Sequence, residues 1–242
     1  MTTPPRRSEI DPARIVWSAD PASIEGRPLV VLLHGYGSDA RDLMNVVRYL
    51  PQEYAYASLL ALEPCGSAPL GYEWFPLHFS PQGDVLDMTT PELLADFATS
   101  ASEAGAAVLR WLDDLAPKPS KVALLGFSQG GIVALGALRR DPGRFAGTAI
   151  VASLAAPPAP GEEGAALDEA LRALKPKVWW GRGTADPVIP ARGVAYTEAW
   201  MAEHADATIH VEPGLGHEFS LAELEGISAF LRERFGEADS AA

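Results

Sequence analysis

Ser128 lies between two glycines in Gly126-Phe127-Ser128-Gln129-Gly130, and a third glycine, Gly131, follows directly. The residues before it, Val122 to Leu125, form a short apolar run that reads as a buried strand. Those after it, Gln129 to Arg140, are rich in Ala and Leu and read as a helix. A sharp strand-to-helix turn forces its central residue into a strained backbone conformation and leaves no room for Cβ atoms at the flanking positions. Glycine relieves the clash, and the serine hydroxyl is carried above the sheet edge. The following helix aims its free N–H groups and positive dipole end at charge developing beside the serine. The chemistry this arrangement serves is acyl transfer to a serine nucleophile.

A serine hydroxyl needs a base, and histidine is the usual one. The chain has five: His34, His78, His204, His210 and His217. His204 falls near the end of a helical stretch read as exposed, His210 inside a strand and His78 in a long loop. His34 directly follows the first core strand and reads as a satisfied structural histidine. His217 sits in a glycine-rich loop, Pro213-Gly214-Leu215-Gly216-His217, just past the last strand, where it can reach a serine on the same rim. The base in turn needs an acid to fix its tautomer and stabilise the imidazolium. Asp186 lies in Gly183-Thr184-Ala185-Asp186-Pro187, in the loop after the preceding strand. Taken alone it would read as a turn residue; between Ser128 and His217 it gives the hydrolase order Ser, Asp, His. Glu212 and Glu218 rank below it, and Glu218 is poorly placed beside His217 in sequence.

Negative charge on the former carbonyl oxygen calls for two main-chain donors. The N–H of Gln129 is one. The other is expected from the loop after the first core strand, His34-Gly35-Tyr36-Gly37, and is assigned to the N–H of Tyr36. Trp74 and Phe75, with Tyr72 and Phe79, read either as lining a substrate pocket or as a satellite core that holds a long loop down.

The elements that must position these groups alternate. Arg14 to Ser18 reads as a short edge strand. Leu29 to Leu33 is a continuous apolar run, the pattern of a strand covered on both faces. Ser38 or Asp39 can cap a helix from Ala40 to about Leu50. Tyr54 to Leu60 reads as a strand, followed by an irregular stretch from Glu63 to Thr90. Thr90-Pro91 opens a long helix to about Leu115. After the Ser128 strand and helix, Phe145 to Ala152 and Lys177 to Gly181 read as strands, with Ala155 to Gly164 as a surface loop between them. A helix from about Ala191 to Glu203, a last strand from Thr208 to Val211 and a helix opened by the capping box Ser220-x-x-Glu223 complete the chain. The buried face of this last helix is read as Leu221, Leu224, Ile227 and Leu231. Strands separated by helices predict an α/β fold with a mostly parallel central sheet. Residues 13–235 are expected to form one domain, with a loose arm at 1–12 and a frayed tail at 236–242. His34, Ser128, Asp186 and His217 all follow strand ends, where open α/β sheets bind ligands.

Leu32-Leu33-His34-Gly35-Tyr36-Gly37-Ser38, Trp74-Phe75, Gly126-Phe127-Ser128-Gln129-Gly130-Gly131, Asp186-Pro187-Val188-Ile189-Pro190 and Gly216-His217-Glu218 together resemble the phospholipase/carboxylesterase family. That family includes the acyl-protein thioesterases and small bacterial carboxylesterases of the α/β-hydrolase fold. The resemblance runs from about residue 28 to 235. It implies hydrolysis of acyl esters, or of thioesters or lysophospholipids with the same machinery, no metal, no cofactor and no large cap domain. It carries the triad onto Ser128, Asp186 and His217 and the oxyanion donors onto Tyr36 and Gln129. The chain departs from the family pattern at Pro76, where an acidic residue commonly follows Trp-Phe, and in the Ala/Pro-rich stretch 155–164.

Composition narrows the partners. The formal charge of −13 repels nucleic-acid phosphate, with no Lys/Arg cluster to compensate. No apolar run approaches the length of a membrane span, so stable membrane insertion is not expected. The N-terminus has no apolar stretch behind Arg6 and Arg7 and does not read as a secretory signal. With a single cysteine, Cys65, no intrachain disulfide is available. A cytoplasmic protein acting on a small acyl ester is the expectation, with room for a homodimer. The reading from another class is a silent hydrolase fold that binds a ligand, and an intact Ser, Asp, His set argues against it.

Overall fold

The computed structural model describes residues 8–68, 70–78 and 90–236. Seven strands make the central sheet: β1 (Val16–Trp17), β2 (Leu29–Leu33), β3 (Ala55–Leu59), β6 (Val122–Phe127), β7 (Gly147–Val151), β8 (Lys177–Gly183) and β9 (Asp206–Glu212). The small strands β4 (Glu63–Pro64) and β5 (Tyr72–Glu73) pair separately as an antiparallel hairpin. The helices are α1 (Pro91–Asp114), α2 (Gln129–Arg140), α3 (Glu162–Leu174), α4 (Ala191–His204) and α5 (Leu221–Phe235). The spatial order is β1-β3-β2-β6-β7-β8-β9, and every pairing is parallel except that of the edge strand β1 with β3.

β2, β3 and β7 are buried at every residue, as continuous apolar runs covered on both faces must be. One face packs under α1, α2 and α4, where Leu29, Val31, Leu33, Leu124, Ile150 and Trp180 meet Val108, Val133 and Met201. The other packs under α5 and the segment 43–50, where Val30, Leu32, Leu125 and Trp179 meet Leu43, Leu224, Ile227 and Leu231. Register brings the strand ends into line: Leu33 lies opposite Gly126, and Phe127 opposite Val151. The loops that follow these strands therefore share one rim. No described helix is long and apolar enough to cross a membrane.

Several expectations are corrected. The helix expected over 40–50 is two 3₁₀ turns, Leu43–Asn45 and Val47–Tyr49, in which Asn45, Val46, Tyr49 and Leu50 donate to carbonyls three residues back. Asp42, Asn45 and two valines are weak α-formers, and Pro51 ends the segment. The surface loop expected over 155–164 ends at Gly161, and α3, which the sequence reading did not assign, begins at Glu162. Its buried face is Gly164, Asp168 and Leu171, a stripe held by an ion pair as much as by apolar area. Asp168 accepts from Arg139 of α2 at 2.7 Å, and the two side chains are only 10% and 6% exposed. The same guanidinium donates to the carbonyls of Ala156 at 2.8 Å and Pro157 at 3.2 Å. His204, read as exposed, is buried: its Nδ1–H donates to the Trp200 carbonyl at 3.0 Å, its ring stacks on Trp200, and Nε2 lies 3.5 Å from Asp168. Leu221, placed on the buried face of α5, is exposed, because it is the first residue after the Ser220 cap and points off the end of the stripe. The capping box itself forms in both directions. In the stretch 63–90 the strands β4 and β5 pair, while Pro69, Phe79 and residues 80–89 lie outside the described residues, as do 1–7 of the expected arm and 237–242 of the expected tail.

Candidate active site

Ser128 has φ 53° and ψ −120°, a conformation side-chain-bearing residues seldom adopt. Its neighbours hold it there. The Ser128 N–H donates to the Val151 carbonyl at 3.0 Å, and its carbonyl accepts from Gly131 N–H at 3.0 Å and from Ser153 Oγ at 2.7 Å. A Cβ on Gly126 would lie 2.4 Å from the Gly130 carbonyl oxygen, so this turn closes only with glycine there. The turn that carries Ser128 is thus built by β6, α2 and the end of β7 together. Ser153 was not singled out from sequence; its only signal is being the first polar side chain after the apolar run that becomes β7.

The loops after β8 and β9 converge on the serine. His217 Nε2 is 3.0 Å from Ser128 Oγ, and His217 Nδ1 is 2.8 Å from Asp186 Oδ2. With Nδ1 donating to the carboxylate, Nε2 is left to accept the serine proton. The second carboxylate oxygen of Asp186 accepts from Val188 N–H at 2.7 Å and Ile189 N–H at 3.1 Å. Burial alone would raise the Asp186 carboxyl; the hydrogen bonds from His217, Ile189 and Val188 outweigh it and hold the group below the ordinary carboxylate range. Phe127 packs against the His217 ring and stacks on Phe219, which braces the imidazole from the side.

The loop after β2 reaches the same place. A Cβ on Gly35 would lie 3.4 Å from Ser128 Cβ and 3.2 Å from the Phe127 ring, so the backbone leading into Tyr36 passes directly beside the serine. The Tyr36 hydroxyl meets Ser67 Oγ at 3.0 Å. Gln129 opens α2, where the N–H has no carbonyl partner within the helix. Its side chain is buried and turns away from solvent toward Trp74 and Phe75.

The other histidines stay apart from this cluster. His34 is fully buried, accepting from Ala61 N–H at Nε2 and donating to the Gly35 carbonyl at Nδ1. His78 pairs with Asp96 at 3.1 Å, and His210 lies 3.5 Å from Glu212. Glu212 accepts from Ser220 Oγ. Trp74 and Phe75 belong to the main core, each 2% exposed. Both also line a cleft of about 390 Å³ with Leu62, Ala104 and Arg110. A second, mostly apolar cleft of about 210 Å³ is lined by Leu94, Leu154, Ala155, Pro157, Arg192, Gly193 and Tyr196. It starts one residue beyond Ser153, the residue bonded to the Ser128 carbonyl. Among the described residues no group of three or more His, Cys, Asp or Glu could hold a metal ion.

Comparison with known proteins matches residues 13–234 to the phospholipase/carboxylesterase family model. The NocK protein of Nocardia uniformis subsp. tsuyamanensis, whose name classes it with the esterases, is 32% identical over 57% of this chain. The match covers 37% of NocK, so this chain corresponds to well under half of that relative. Among solved structures, esterase PE8 is similar with a TM-score of 0.70 and 27% identity, covering 90% of this chain and 97% of that one. The Bacillus cereus carboxylesterase shares the fold with a TM-score of 0.67 at 17% identity, covering 91% and 94% of the two chains. With an α/β-hydrolase sheet that carries no large cap domain among the described residues, and one family model matched over residues 13–234, the classification is settled: the chain belongs to the phospholipase/carboxylesterase family.

Proposed function

We propose that the protein is a carboxylesterase that cleaves small acyl esters through an acyl-enzyme on Ser128. The observation that carries this reading is the His217 ring bridging Asp186 Oδ2 at 2.8 Å and Ser128 Oγ at 3.0 Å. His217 Nε2 takes the Ser128 proton as the hydroxyl oxygen attacks the ester carbonyl. The imidazolium is stabilised by Asp186, which stays ionised. The tetrahedral oxyanion is held by the N–H groups of Gln129 and Tyr36. Collapse expels the alcohol, which receives the proton from His217. A water molecule, deprotonated by the same ring, then attacks the acyl-enzyme and releases the acid, restoring Ser128. Each proton and each developing charge is handled by these five residues, so the cycle calls for no cofactor.

The cleft along Leu154, Ala155, Pro157 and Tyr196 supports an apolar acyl group of modest length. The test is a hydrolysis profile on p-nitrophenyl esters of increasing acyl length, with a palmitoyl thioester alongside and Ser128→Ala in parallel. The expected result is turnover that peaks at short to medium chains and falls by about 10⁴-fold or more in Ser128→Ala. Faster turnover of the thioester would move the assignment to a thioesterase with the same triad. Full activity in Ser128→Ala, or an inert wild type, would overturn the mechanism.

A further inference from the structure

Two main-chain N–H groups stabilise one oxygen well only when their spacing and aim are set before charge develops. Here the Gln129 and Tyr36 N–H groups come from different loops, and buried side chains join them. The Gln129 carboxamide is bivalent: Oε1 accepts from the Trp74 N–H at 3.0 Å, and Nε2 donates to the Phe75 carbonyl at 2.7 Å. The Trp74 indole N–H donates to the His34 carbonyl at 2.8 Å. The His34 ring then reaches forward along its own loop, where Nδ1–H donates to the Gly35 carbonyl oxygen at 2.8 Å. Its other nitrogen accepts from Ala61 N–H at 3.1 Å, which fixes the neutral tautomer. Burial lowers the pKa of this ring, in keeping with that tautomer.

The Gly35 carbonyl and the Tyr36 N–H are the two ends of one planar peptide group, and this peptide is trans. Holding the oxygen against the imidazole therefore sets the direction of the Tyr36 hydrogen on the opposite side. The same carbonyl also accepts from Ser38 N–H at 3.3 Å, and Gly37 N–H donates to the Tyr72 carbonyl at 2.9 Å, so the imidazole works alongside the loop's own turn bonds.

We propose that the side chains of His34, Trp74 and Gln129 form a positioning network for the oxyanion hole, spacing the Gln129 donor against the Tyr36 loop and aiming the Tyr36 donor. None of the three touches substrate through these side-chain atoms; they act through the two N–H groups. The proposal rests on the triad and oxyanion reading above. It differs from a packing role in what it changes. Packing alone determines how many molecules are folded, whereas the network determines how fast each folded molecule turns over.

The test compares wild type, Trp74→Phe, His34→Asn and His34→Gln. Active molecules are counted with a stoichiometric phosphonate that esterifies Ser128. Then kcat per titrated site, KM for a short p-nitrophenyl ester and affinity for an alkyl boronic acid are measured. Removing a whole oxyanion donor costs about 10²–10³-fold in kcat, so a misaimed one in Trp74→Phe should cost about 10-fold, with KM little changed and boronate affinity falling in parallel. The Asn amide nitrogen can stand in for Nδ1 and the Gln amide for Nε2, so His34→Asn should retain clearly more kcat than His34→Gln. Should Trp74→Phe fail to fold, the His34 pair decides. Wild-type kcat per titrated site in Trp74→Phe, or equal kcat in the two His34 variants, would overturn the network. A wild type with no phosphonate-titratable Ser128 would instead sink the underlying reading, before any network variant is compared.

Discussion

Gly130 and Leu33 meet backbone to backbone: a Cβ on Gly130 would lie 1.9 Å from the Leu33 carbonyl oxygen. The first turn of α2 is therefore pressed against the end of β2, and the two loops that carry Tyr36 and Ser128 share one contact. A carbonyl in a fully buried central strand has nowhere to retreat. Gly130→Ala is expected to destabilise the fold by about 1–3 kcal/mol or more. It should also reduce turnover in the molecules that remain folded, because the elbow must move relative to Tyr36. Chemical denaturation and kcat per titrated serine measure the two effects separately.

Asp186→Asn keeps the size of the side chain but removes the charge that stabilises the His217 imidazolium, and it lets the ring flip its tautomer. A fall in kcat of about 10⁴-fold is expected, with little change in KM. A fall of less than tenfold on the ester series would mean that Asp186 is a turn residue and that another carboxylate serves His217.

Arg139 and Asp168 are a nearly buried pair, and the guanidinium also holds the carbonyls of Ala156 and of Pro157, the latter a residue that lines the apolar cleft. Removing one partner leaves the other charge uncompensated, so Arg139→Leu should cost about 3–5 kcal/mol. The double change Arg139→Leu with Asp168→Leu should recover much of that loss in urea denaturation. If the double variant is no more stable than the single one, the pair is not what holds α3 to α2.

The buried neutral His34 makes stability depend on pH. Its pKa in the fold is below the ordinary 6.5, so below that value the unfolded chain binds a proton that the folded chain refuses. Its contribution is complete above pH 6.5 and is lost progressively as pH falls toward the folded value. Glu223 runs the other way. Burial raises its carboxyl above the ordinary 4.5, so its contribution is complete below 4.5 and is lost as pH rises through the folded value. Thermal midpoints between pH 5 and 8 should show wild type losing stability on the acidic side of 6.5 and His34→Asn losing less; parallel curves would refute the assignment.

Much of the site was legible because its chemistry constrains residue type. The glycines around Ser128 are demanded by contacts under 3 Å, and the capping box at Ser220 is a local device whose spacing is its mechanism. The continuous apolar run Leu29–Leu33 announced a central strand for the same kind of reason. What escaped reading was stabilised at a distance. α3 buries one large apolar residue, Leu171, and is otherwise pinned through Asp168 to an arginine on another helix, so its periodicity is weak. His204 is likewise buried through a stack on Trp200, with Nε2 3.5 Å from that carboxylate. The segment 43–50 has helical spacing but relaxes to 3₁₀ turns, a choice between two backbone states that hydrophobic pattern does not separate. Ser153 supports Ser128 only because β7 ends beside β6, a fact of strand order.

The order β6-β7-β8-β9 also has a consequence in time. Ser128 and His217 are 89 residues apart, and the histidine loop is placed only after β7 and β8 have been laid down between them. A chain emerging from the ribosome can build the elbow and its two supporting strands long before it owns a base. Until the loop after the last strand docks, Ser128 has no imidazole beside it, so under the proposed mechanism the nascent polypeptide has no base with which to attack an ester.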